Sequence, residues 1–302
     1  MLRALVISLA MLAVSSGPCA AETSPQAAAV SKDVRNQNEV SSQLSPHSSA
    51  AAGSSSDSSE DSAAENELLE SANKSRELAG VPPLRMEESL RAAARAHARR
   101  MVESEQLEHR LSGEPSLLER IAQVSPLKMD RVGENIAYAT CAAGANEALM
   151  RSEPHRQNLL DRGFNVAGIA AIWSEGRLYV VQDFGHEVPS YSAHESRELV
   201  GRAVEEMRQQ AGLPALVQLA LPNLDEAACS LAGENRPNAR LLATAYDNRK
   251  IITYTQSRPE VLPPGALRLL SDADVRRFAV GSCYARNAAY PTGMYWVAIL
   301  LY

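Results

Sequence analysis

The chain is poor in aromatic residues, in cysteine and in clustered positive charge. Only 5% of its 302 residues are Phe, Trp or Tyr, and four are cysteine. So few cysteines in so long a chain exclude a disulfide scaffold, in which several bridges replace a sizeable core. Lys and Arg number 30 against 36 Asp and Glu, for a net charge of −6 with no basic run. A surface that neutralises phosphates is therefore missing, and nucleic acid is not expected as a partner. Beyond the first residues no stretch is apolar enough to span a membrane as a helix. Neither a Gly-x-Ser-x-Gly elbow nor a His-Glu-x-x-His helix occurs, and no histidine follows His194. What remains is a 45% hydrophobic chain long enough for two ordinary domains.

Leu2-Arg3, the apolar run from Ala4 to Val14 and Cys19-Ala20-Ala21 have the layout of a secretory signal over residues 1–21, with cleavage after Ala21. Pro18 stands where an acylated lipoprotein would carry a small residue, which disfavours acylation of Cys19. The expected localisation is secreted or periplasmic. Residues 22–63 are Ser/Ala-rich with almost no large apolar side chains, and read as a disordered linker. Loss of Cys19 with the signal leaves Cys141, Cys229 and Cys283, an odd number that predicts a free thiol or an intermolecular bond.

Apolar spacing predicts helices over 65–78 and 87–105, the first ended by Gly80 and Pro82-Pro83. His97 falls within the second, among arginines, and reads as a partly exposed helix residue. Two strands are expected at 166–173 and 177–184 around Ser174-Glu175-Gly176. Chemistry-bearing residues are sparse. His109 and His155 are far apart in sequence, and Glu134 follows Gly133. Two imidazoles and a carboxylate brought together would bind a divalent metal or handle a proton.

The ordered pieces are specific. Leu107-Glu108-His109-Arg110, Gly133-Glu134-Asn135-Ile136, Pro154-His155-Arg156-Gln157-Asn158-Leu159-Leu160 and Tyr179-Val180-Val181-Gln182-Asp183-Phe184 follow one another. Over roughly Glu65 to Gly185 the chain resembles the CAP superfamily of cysteine-rich secretory proteins, antigen 5 and pathogenesis-related 1, also known as SCP-like domains. Its few cysteines favour the bacterial branch. The resemblance implies an α+β fold, a three-layered α-β-α sandwich, over residues 64–187. It also implies a shared cleft for His109, Glu134 and His155. Leu149 stands where the family carries a tryptophan. Ser152 takes the place of the family's second glutamate, and the neighbouring Glu153 is a candidate substitute, so Ser152 and Glu153 join the expected cleft. His109 and His155 would be the ligands of zinc or another divalent cation. The expected function is an exported module that binds such a metal, or an extracellular or envelope ligand, without catalysis. The alternatives are a metal-assisted hydrolase with Glu134 as base, and a structural or adhesion protein of the envelope.

Residues 196–302 repeat the pattern in worn form, as a second, degenerate α/β copy. Ala211-Gly212-Leu213-Pro214 echoes Ala79-Gly80-Val81-Pro82, each after a helical segment carrying Arg208 or Arg76. Phe278-Ala279-Val280-Gly281 likewise echoes Phe164-Asn165-Val166-Ala167-Gly168. In such a copy Cys229 would lie on the second helix and Cys283 on the first core strand. The expectation is that these two pair and leave Cys141 free.

Overall fold

A computed structural model describes residues 21–23, 58–221, 223–235, 237–243, 245–246 and 250–302. Nearly all of the expected secretory segment and residues 24–57 of the expected linker lie outside the described residues.

The first unit opens with strand β1 (Ala21–Thr23), strand β2 (Ser59–Glu60) and helix α1 (Ser62–Leu78). Asp61 starts the helix, its carboxylate accepting from the Ala64 N–H at 2.9 Å. A negative oxygen there satisfies an orphan donor and complements the helix dipole. The expected linker therefore stops short of 63, because Glu22–Thr23 and the residues from Ser59 onward already belong to this unit. Strand β3 (Arg85–Met86), helix α2 (Glu88–Ser104), helix α3 (Leu117–Val124) and strand β4 (Met129–Ala139) follow. Helices α4 (Ala142–Arg151) and α5 (Glu153–Leu159) then lead to the hairpin β5 (Val166–Ser174) and β6 (Arg177–Glu187).

The strands form one sheet in the order β1-β4-β6-β5-β2, with β3 parallel beside β5. Alternation decides its faces. Ala167, Ile169 and Ala171 of β5 pack with Leu68 and Ala72 of α1 and Leu149 of α4, while Ala170 and Ile172 meet Ala98 and Met101 of α2 on the other side. Both faces are covered, so β5 reads as an almost unbroken apolar run. This is an α+β fold in three layers. Gly168 lets α2 lie directly on the sheet, since a Cβ there would come within 2.0 Å of the Leu90 backbone.

One buried cation ties the unit together. Arg76 donates to the carbonyls of Pro82 (2.7 Å), Leu159 (2.9 Å), Asp161 (3.0 Å) and Phe164 (2.9 Å). It thereby satisfies carbonyls at the C-terminal end of α5 that no helical N–H can reach.

The second unit comprises α6 (Ala193–Gln210), β7 (Val217–Leu219), α7 (Leu224–Gly233), α8 (Ala239–Ala243), β8 (Lys250–Gln256), α9 (Ala266–Leu270), β9 (Arg277–Ala285) and β10 (Met294–Leu301). Its sheet runs β7-β9-β10-β8, with β7 parallel to β9 and the other neighbours antiparallel. The order β3-β5-β6-β4 in the first sheet has the same directions. Cys229 and Cys283 are bonded and join α7 to β9. Cys141 is also disulfide-bonded, and none of the described cysteines is free. That corrects the expected free thiol at 141, which came from counting residues, and a count carries no geometry.

The two units meet along 122–131. Arg286 donates to the carbonyls of Ala122 (3.0 Å) and Ser125 (2.8 Å), and Thr292 to that of Met129 (2.7 Å). Lys128 lies 3.9 Å from the centre of the Tyr284 ring and donates to the Tyr295 hydroxyl at 2.9 Å.

Candidate functional site

The site grows from the apolar stripe of α2. Ala93, His97 and Met101 follow one another at four-residue spacing, so all three face inward. His97 is consequently fully buried, not half-exposed as its arginine neighbours suggest. Its Nδ1 lies 2.9 Å from Glu114 Oε1 and its Nε2 3.0 Å from the Glu108 carbonyl. Burial first, and the Arg120 guanidinium second, push the imidazole's pKa down to about 4 against the pull of Glu114.

Glu134 stands on β4, directly opposite Asp183 on β6. It is a strand residue within Met129–Ala139. One carboxylate oxygen is 2.8 Å from His109 Nδ1, and the other pairs closely with Arg120, a buried residue of α3. Arg120 also reaches Glu114 at 3.3 Å. Burial pushes Glu134 up to about 7, with Arg120 opposing, and raises Asp183 well above the usual carboxylate range. Two buried acids facing each other beside one guanidinium cannot both ionise cheaply, so a proton stays in the pair.

His155 sits on α5, which follows its N-cap residue Ser152 and carries proline in its first turn. The Ser152 hydroxyl is 2.7 Å from His155 Nδ1 and orients the ring, while Nε2 is buried with no hydrogen-bond partner. Burial lowers the pKa of His155, and the charge of nearby His109 lowers it further. The ring is neutral at pH 7. An amide relay fixes the helix against the sheet. Asn135 donates to the His155 carbonyl (3.1 Å) and to Gln182 (3.2 Å), and Asn158 donates to the Glu134 carbonyl (3.0 Å).

The structure thus sets His109 against Glu134 and Ser152 against His155, with His155 near enough to His109 to feel its charge. Glu153 stands apart. It is exposed and takes a hydrogen bond from Gln157 at 3.3 Å along the same helix. Adjacent positions on a helix diverge by about 100°, so it cannot replace the carboxylate that Ser152 lacks. Sequence reasoning passed over His97, Glu114, Arg120 and Asp183. His97 carried a usable signal, a polar residue at a stripe position, whereas Arg120 and Asp183 carried none without the fold. Among the described residues no three His, Cys, Asp or Glu side chains are grouped so as to hold a metal ion.

Comparison with known proteins bears on the first unit. Residues 69–184 match the model of the CAP family, the cysteine-rich secretory protein family. The uncharacterised protein YkwD of Bacillus subtilis is 29% identical over 125 residues, covering 41% of this chain. The chain spans about half the length of that relative, 48%. Among solved structures, an extracellular SCP-domain protein from Bacillus anthracis matches 41% of this chain and 41% of its own length, at 21% identity and TM-score 0.38. An outer surface protein from Borrelia burgdorferi matches 44% of this chain and 99% of its own length, at 16% identity and TM-score 0.41. Residues 69–184, within the first unit, are thus a CAP domain of the bacterial type.

Proposed function

We propose that the protein is exported and that its CAP cleft binds a polar extracytoplasmic ligand or a divalent cation without turning it over. The observation that carries this is the neutral His155 ring, held by Ser152, whose Nε2 is buried without a partner beside His109. A buried nitrogen of that kind awaits an occupant. For a cation the donor set fits in part. His109 and His155 would be its protein ligands, and Glu134 would act behind His109, since a carboxylate on the other ring nitrogen orients a ligating imidazole. Two nitrogens alone would hold such an ion loosely. Turnover with Glu134 as base is disfavoured because both of its oxygens are already engaged by His109 and Arg120. Export is supported by the Cys229–Cys283 bridge, since such bonds persist in an oxidising compartment.

The second unit is, on this reading, a degenerate CAP copy that braces the first. It keeps the frame. Arg208 donates to the carbonyls of Pro214 and Leu270 as Arg76 does to those of Pro82 and Leu159. Gly281 lies on the Leu224 backbone as Gly168 lies on that of Leu90. Superposing these anchors and the strand registers puts Leu231 at the place of His97, Thr253 at Glu134, Ala298 at Asp183 and Ala266 at His155.

Calorimetric titration of the folded chain with zinc chloride tests the cleft. His155→Ala is expected to abolish binding and Glu134→Gln to weaken it less. Equal affinity in wild type and His155→Ala sinks the cation reading.

A further inference from the structure

In the first sheet the outer side of β4 is completed by β1, which pairs Ala21, Glu22 and Thr23 with Ala139, Tyr138 and Ala137. Its counterpart β8 pairs with β10 on one side, and no strand among the described residues pairs with the other. A sheet edge left open presents a row of backbone donors and acceptors. Helices α8 and α9 touch β8, yet hollows remain along it. Two hollows of about 770 and 420 Å³ share Pro237, Thr253 and Pro263, and together they follow β8 from Ile251 to Gln256 and on to Ser257. The larger one lies between the two units, with β8 on one wall and Asp130, Arg131 and His186 of the CAP domain on the other.

We propose that this groove receives an extended peptide bearing acidic side chains, which adds as a fifth strand to the open edge of β8. The groove's length suits the mode, because seven residues of strand cover roughly 23 Å at about 3.3 Å each. Its charge suits an acidic occupant. Arg131 and His186 are balanced by Asp161 and Asp130, and Arg240 adds a cation with no acid partner among the described residues, in a chain whose net charge is −6. Arg131 and His186 are fixed donors. Asp161 grips the Arg131 guanidinium at 2.6 and 3.0 Å, and Asp130 holds His186 Nδ1 at 2.6 Å. Main-chain bonds to β8 would supply affinity, and these donors the preference for acids. The proposal is independent of the His109 cleft.

The test selects random nonapeptides displayed on phage against the full chain, then measures labelled synthetic copies of the enriched sequences by fluorescence anisotropy. Enrichment of acidic sequences is expected, with binding at least tenfold weaker to Thr253→Asp/Thr255→Asp and several-fold weaker to Arg240→Glu. Both threonines are half-exposed and Arg240 is exposed, so the fold should survive. Bound peptide should slow amide exchange in β8, a readout that needs no variant. Failure to enrich any sequence, equal binding to the variants, or unchanged exchange in β8 overturns the proposal. So does concentration-dependent dimerisation of wild type that Arg240→Glu abolishes, because the groove would then belong to a second copy.

Discussion

The two sheets share a strand order and differ in what fills the space beneath the helix that crosses them. Under α2 lie an imidazole, two facing carboxylates and a buried guanidinium. Under α7 lie the buried apolar side chains of Leu231, Trp296 and Ala298, and α7 is joined to β9 by the Cys229–Cys283 bridge. A polar interior needs every group satisfied, and it carries ligands and protons in return. An apolar interior with a covalent staple needs neither. The same frame accommodates both because its own supports, the arginine staple and the close glycine contact, lie outside the variable patch.

The comparison breaks most sharply at the arginine staples. Arg76→Ala strips four carbonyls of a buried cationic donor and is expected to cost about 5 kcal/mol in urea unfolding, whereas Arg208→Ala, with two such bonds, should cost clearly less. Equal losses would mean the staples are not equivalent parts. Next comes the bridge. Replacing Cys229 and Cys283 by serine opens a loop of 54 residues and should cost about 4 kcal/mol, which denaturation of the double variant would measure.

A smaller effect is expected from His97→Leu, which installs the second unit's residue in the first. Glu114 and the Glu108 carbonyl each lose a partner, for about 1–2 kcal/mol at pH 7. The pH dependence gives the sign. His97 titrates near 4 when folded and at the ordinary 6.5 when unfolded, so the unfolded chain takes up the proton first. Its contribution is present above 6.5 and is lost as pH falls toward 4. The gap between wild type and His97→Leu should therefore narrow over that window, and a gap that widens on acidification would contradict the burial argument. The smallest effect concerns the cleft. Because the pKa of His155 is lowered, zinc binding should persist to more acid pH than an unperturbed histidine would allow, and a midpoint at or above 6.5 would contradict it.

Much of this was legible in the residues. The hairpin of β5 and β6 announced itself through two apolar runs about Ser174-Glu175-Gly176, and Glu175 and Gly176 do take left-handed backbone there. The helices bounded by Gly80 and by the Glu88 region were equally plain. His109, Glu134 and His155 were singled out through the order of their motifs, and the structure sets the first two in contact. His97 was misjudged because its charged sequence neighbours drew attention from its own stripe. Arg120 and Asp183 gave no sign, since each looks like an ordinary surface charge until β4, β6 and α3 are brought together.

The sequence by itself determined periodicity: where helices and strands begin and which face of each is apolar. Those are local properties, written in spacings of two and of three to four residues. Only the tertiary structure decided which charges meet. The pairing of Glu134 with Asp183 depends on the register between strands some fifty residues apart, and the ion pair with Arg120 depends on how α3 crosses that sheet. Burial then made the electrostatics, because a carboxyl group's ionisation answers to the water it has lost and the charges it has gained, and neither is encoded beside it in the chain.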